Sequence, residues 1–119
     1  MDLDQCACSG KSLARLLRPA IMAFLAQGPA HGYHLAQHLR QMKMFADQEA
    51  DHTGIYRALK QMEDEGLLSS QWDLADSGPA KRVFALTDDG TACMNQWRQT
   101  LREYRDAVDE LLGLLKQRR

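Results

Sequence analysis

Apolar residues recur along this chain at two different spacings, and the change from one to the other divides it. Leu13, Leu16, Leu17, Ala20, Ile21, Phe24 and Leu25 share one face of a helix that Gly28-Pro29 stops. Pro19 lies inside that stretch; it has no amide to donate and crowds the preceding turn, so a kink or a restart is expected there. A second helix opens at His31-Gly32-Tyr33 and carries Leu35, Ala36, Leu39 and Met42 on its apolar side. Gly32 is expected to allow close approach to the first helix, and Tyr33 to pack its ring while its hydroxyl reaches a polar partner. Met44 to His52 is polar and acidic and reads as a connecting loop. Ile55, Ala58, Leu59 and Met62 then mark a helix capped by Thr53 and stopped by Gly66, with Thr53, Arg57, Lys60 and Asp64 on its free side. The acids Glu63, Asp64 and Glu65 oppose the dipole at its C-terminal end.

Beyond Gly66 the period shortens. Leu67, Leu68 and Trp72 lead into the turn-forming Asp76-Ser77-Gly78-Pro79, and Val83, Phe84, Ala85 and Leu86 form a short apolar run headed by Lys81 and Arg82. Together they predict a two-stranded hairpin with a basic pair near its tip. Thr87 caps a last helix whose first turn carries Asp88 and Asp89. The predicted class is therefore mostly α with a small β-hairpin: a winged helix-turn-helix over residues 12–87, a flexible tail over 1–11 and a long C-terminal dimerisation helix over 88–119. In that last helix Met94, Trp97, Leu101, Tyr104, Val108, Leu111 and Leu115 alternate by three and four residues, an unbroken heptad seam. Such a seam predicts pairing with the same helix of a second subunit and with the first helix, in a symmetric dimer.

A chain of 119 residues is expected to hold one domain. The net charge of −1 hides a small basic surplus where it matters: residues 11–86 hold nine Lys or Arg against eight acids, the part from 87 six of each, and the first ten two acids. Nonspecific affinity for nucleic acid is then modest, and firm binding needs two half-sites held together. No apolar run approaches the ~20 residues that span a bilayer, and the acidic start Met1-Asp2-Leu3-Asp4 is unlike an export signal, so a cytoplasmic protein is expected. No glycine-rich phosphate loop, metalloprotease helix or nucleophile elbow is present, which argues against an enzyme.

Three stretches fall in one familiar order. His31-Gly32-Tyr33-His34-Leu35, then Gly54 to Leu68, then Gly78 to Gly90 resemble the PadR family of winged-helix transcriptional regulators, over roughly residues 12–117. The chain departs from the family pattern at Ile55, where Leu is usual, at Arg57, where Pro is common, and at Phe84, where Tyr is usual. The resemblance implies a homodimer that binds a pseudo-palindromic operator in double-stranded DNA. Thr53, Tyr56, Arg57 and Lys60 would address the major groove, Lys81 and Arg82 would hold phosphate or the minor groove, and Tyr33 would reach a phosphate. Small members of the family also line a pore between subunits with aromatic residues of the last helix, which would give Trp97 and Met94 a part in binding a small aromatic effector.

Cys6-Ala7-Cys8 offers two thiols for a soft metal or a redox switch, with Cys93 as an odd third cysteine. His34 and His38, four apart, form a second candidate metal pair, with two solvated surface histidines as the alternative. Other readings remain open beside the repressor: a metal or redox sensor using the N-terminal thiols, and a protein-interaction module that kept the winged fold without DNA affinity.

Overall fold

The computed structural model describes residues 16–46, 52–74 and 81–116. Leu13, the thiols of Cys6 and Cys8 and the turn Asp76-Ser77-Gly78-Pro79 lie outside them. Helices α1 (Leu17–Leu25), α2 (Gly32–Gln41), α3 (Lys43–Ala46) and α4 (His52–Asp64) precede the wing strands β2 (Leu68–Asp73) and β3 (Lys81–Leu86), and α5 (Asp88–Lys116) closes the chain. A short strand β1 (Ala30–His31) lies between α1 and α2. The architecture is the expected one, mostly helical with a small sheet and a long last helix.

Three local expectations change. Of the kink or restart expected at Pro19 there is no kink: Pro19 is the third residue of α1, inside the first turn, where amides have no intrahelical partner, and the described helix begins just ahead of it. Met44 and Phe45 are helical rather than part of a loop, and Phe45 is buried in the core. The sheet has three antiparallel strands in the order β1-β3-β2. Ala30 and His31 pair with Phe84 and Val83, while β2 runs along β3 from Leu68 opposite Leu86 to Asp73 opposite Lys81.

The core forms where the stripes of α1, α2 and α4 converge on Leu68 and Phe84 of the sheet. Ile21, Leu35, Leu39, Ile55, Leu59 and Met62 are each 0% exposed. Each such side chain is worth about 1.5–3 kcal/mol of transfer from water, so this cluster holds the head together. The two ends that frame the wing are chemically explicit. Gly66 takes the left-handed conformation, φ 83°, and the Leu67 and Gly66 amides donate to the carbonyls of Met62 (2.9 Å) and Glu63 (3.0 Å), closing α4 with the paired bonds of a Schellman end. At the start of α5 the Gly90 amide donates to Thr87 Oγ1 at 3.0 Å, the predicted cap, and Thr87 Oγ1 donates to the Gly66 carbonyl at 2.7 Å. A Cβ on Gly90 would lie 2.1 Å from the Leu67 carbonyl oxygen, so only glycine lets α5 seat against the end of α4.

Helix α5 has 29 residues. At 1.5 Å per residue it is ~43 Å long, and only its first turns touch the head. Met94 and Trp97 pack partly against the core, whereas Tyr104, Val108, Leu111 and Leu115 are between 53% and 62% exposed. Among the described residues no helix is long and apolar enough to cross a membrane.

Candidate functional site

Sealing one face of α4 into the core leaves the other to the outside. Tyr56, Arg57 and Lys60 are exposed there, and for Arg57 and Lys60 the spacing predicts it. Thr53 is the second residue of α4 rather than its cap, because the helix begins at His52; its side chain lies outside the described ones. Tyr33, at the start of α2, is 53% exposed, so its ring is a surface group and not the packed one expected. The small size of Gly32 serves α4 rather than α1: a Cβ there would lie 2.7 Å from Tyr56 Cε1. Tyr56 therefore lies across the N-terminus of α2, and the two helices meet at a ring over a glycine.

The wing is braced to α4 by a polar network. The Arg82 guanidinium donates from Nε to Ser70 Oγ at 2.8 Å and from an Nη atom to Glu63 Oε1 at 3.1 Å, and Ser70 Oγ donates to the other oxygen of Glu63. The same guanidinium lies 5.4 Å from the ring centre of Trp72 and 6.0 Å from that of Phe84. Arg82 thus folds back along the wing as a brace. Lys81 is exposed and makes no ion pair among the described residues.

This network also explains the acids that oppose the dipole of α4. Glu63 meets Arg82, Asp64 meets Lys60 at 3.4 Å, and Glu65 meets Arg18 at 2.6 Å. Arg18 is thereby tied to the end of α4. The exposed Lys60–Asp64 pair adds little to stability, about 0.3–0.5 kcal/mol for its spacing, and leaves the ammonium available outward.

His34 and His38 turn to different neighbours. His34 meets the His31 ring edge-on at 5.6 Å between centres, while His38 stacks on Phe24 at 5.3 Å. His31 places Nε2 3.5 Å from Asp73 Oδ2, linking the start of α2 to the wing. No group of three or more His, Cys, Asp or Glu suited to a metal occurs among the described residues. Cys93 is a free, half-buried thiol on α5.

Where α2, α4 and the wing converge there is a cavity of about 470 Å³. Tyr33, Tyr56 and Trp72 supply its rings, and Lys81 and Arg82 its charges, with His31 between. Trp72, 60% exposed, is the residue of this face that the sequence offered only as part of the hairpin and not as a site residue. The signal that could have found it was a large aromatic beside a turn.

The chain matches the model of the transcriptional regulator PadR-like family over residues 21–96. It is 28% identical over 83 residues to the negative transcriptional regulator PadR of Bacillus subtilis, covering 70% of this chain and 45% of that protein. The chain spans less than half the length of the curated relatives it matches. The crystal structure of B. subtilis PadR in complex with operator DNA superposes with a TM-score of 0.60 at 27% identity, covering 69% of this chain and 46% of that one. A putative transcriptional regulator of Thermoplasma acidophilum superposes with a TM-score of 0.69 at 29% identity, over 87% of this chain and 96% of that one.

Proposed function

As the chain belongs to the PadR-like family of transcriptional regulators, we propose that it is a homodimeric, sequence-specific DNA-binding repressor whose release from its operator is triggered by a signal. The observation that carries this reading is the division of α4: Ile55, Leu59 and Met62 are sealed inside, while Tyr56, Arg57 and Lys60 are exposed, and Tyr56 shares a cavity with Lys81 of the wing. A helix so divided fits a major groove ~12 Å wide, and the flanking ammonium fits its phosphates. The B. subtilis relative, solved in complex with operator DNA, supports a duplex as the partner.

Arg57 is the residue best suited to a bidentate contact with guanine, Lys60 and Tyr56 flank it, and Thr53 stands at the entry of the helix. Lys81 holds the backbone from the wing and Tyr33 holds it from α2. The seam of Tyr104, Val108, Leu111 and Leu115 pairs with a twin, placing two weakly charged heads on one duplex; Met94, Trp97 and Leu101 continue it toward the head. The releasing signal acts at one of two places: a small aromatic effector beside Trp97 and Met94, or a metal or oxidant at Cys6 and Cys8.

Fluorescence anisotropy against DNA upstream of the chain's own operon tests the central claim. Arg57→Ala should relax base discrimination by about 1–3 kcal/mol, whereas Lys81→Ala should weaken binding evenly across sequences and flatten its salt dependence. Equal selectivity before and after Arg57→Ala removes that assignment. Failure of the unaltered chain to bind any duplex leaves the interaction-module reading in its place.

A further inference from the structure

Lys81 and Arg82 are neighbours in sequence, and the fold places them differently. Side chains alternate across a strand, so the two leave β3 on opposite faces, and Arg82 shares its face with Phe84, which is buried in the core. Its partner in register on β2 is Trp72. The guanidinium is drawn toward α4: Nε donates to Ser70 Oγ at 2.8 Å, an Nη atom donates to Glu63 Oε1 at 3.1 Å, and the Trp72 ring centre lies 5.4 Å away. Ser70 Oγ closes the triangle by donating to the other oxygen of Glu63.

The cations near this face are held to different degrees. Lys81 has no ion pair among the described residues. Lys60 meets Asp64 at 3.4 Å, with both side chains more than 60% exposed. Arg82 has two directed bonds, and the carboxylate that holds it is only 21% exposed. Bonds from a guanidinium to a shielded carboxylate are the strong kind, whereas an exposed ion pair is worth little. Glu63 also lies in the last turn of α4, where a negative charge opposes the helix dipole, so pairing with Arg82 offsets an unfavourable position.

We propose that Glu63 is a positioning residue that withholds Arg82 from DNA. It keeps the guanidinium bonded to the end of α4 while Lys81 is free to meet a phosphate, so the wing presents one cation to an arbitrary duplex rather than two. The second is engaged only where a phosphate displaces the Glu63 carboxylate. Affinity for arbitrary sequence falls, and the share of binding that depends on α4 grows. The inference rests on the DNA-binding reading above; the bond that holds Arg82 does not.

The test has one arm without DNA and one with it. In ¹⁵N-labelled protein the Nε–H signal of Arg82 is identified by its loss in Arg82→Gln. It should exchange with water about tenfold more slowly than that of exposed Arg57, and Glu63→Gln should abolish the difference. In the second arm, affinity for a mixed-sequence duplex is followed between about 50 and 200 mM salt, which counts the phosphates engaged. Glu63→Gln should steepen the logarithmic salt dependence by about 0.9, an extra change of about 3.5-fold over that range. Adding Arg82→Gln to Glu63→Gln should return the slope to its original value or below. A purely structural brace predicts the opposite: a loosened wing binds less tightly and gains no slope. Ser70→Ala removes one of the two acceptors of the guanidinium and should steepen the slope by less; it replaces Glu63→Gln if that variant does not fold. Fast exchange of the Arg82 Nε–H in the unaltered chain overturns the proposal whatever happens with DNA. So does a slope that Glu63→Gln leaves unchanged or flattens, or a steepening that persists in the double variant. If Arg82 is held yet the unaltered chain binds no duplex, the DNA-binding reading fails and takes this inference with it.

Discussion

Helix α4 and the outer half of α5 carry apolar stripes of the same helical character, yet Leu59 is 0% exposed and Leu111 is 54% exposed. On α4 the stripe meets α1, α2 and the sheet within its own chain. On α5 the stripe outruns the head after Leu101, because the helix continues to Lys116, roughly 22 Å further at 1.5 Å per residue. The same pattern therefore encodes a finished core in one place and, in the other, an exposed stripe that the proposed dimer would cover. What distinguishes them is the reach of the element, since both satisfy their local spacing.

One substitution made in both places breaks or sharpens this contrast. Leu59→Ala should lower stability by about 2–5 kcal/mol at any protein concentration, read from urea unfolding, because it opens a cavity in a closed core. Next in size is Gly90→Ala, which sets a Cβ 2.1 Å from the Leu67 carbonyl where the two regions join. A loss of about 1–3 kcal/mol is expected in the same measurement. Glu63→Gln should cost about 1 kcal/mol and speed amide exchange across β2 and β3, since it loosens the brace on Arg82 while leaving the core intact. The smallest effect belongs to Leu111→Ala: in dilute solution stability should stay within about 0.5 kcal/mol, and the loss should grow with concentration as twins pair. Equal losses for Leu59→Ala and Leu111→Ala in a dilute monomer would erase the distinction.

Much of the head was legible because its signals are local. The stripe of Ile55, Leu59 and Met62, the left-handed Gly66 and the Thr87 cap each depend on residues a few positions apart. Other features depend on partners far along the chain. β1 has only two residues, too few for an alternation, and exists because Val83 and Phe84 offer it an edge. Phe45 sits in an acidic, polar stretch, and only the assembled core shows that it is buried. The acids at the end of α4 look misplaced until Arg18 and Arg82 arrive from 47 and 19 residues away. For the same reason Gly32 was assigned to the wrong neighbour, and the ring-lined cavity, built from three separate elements, had no counterpart in any single motif.

The junction at Gly90 has a mechanical corollary. Thr87 is bonded to the Gly66 carbonyl while Gly90 rests on the Leu67 carbonyl, so the root of the long rod is clasped to the rear of α4 without a swivel. Any rotation imposed far out on the rod therefore turns the head with it. In the proposed dimer, a modest change in how two rods cross would be delivered, by leverage alone, as a change in the distance between the two surfaces proposed to meet the duplex.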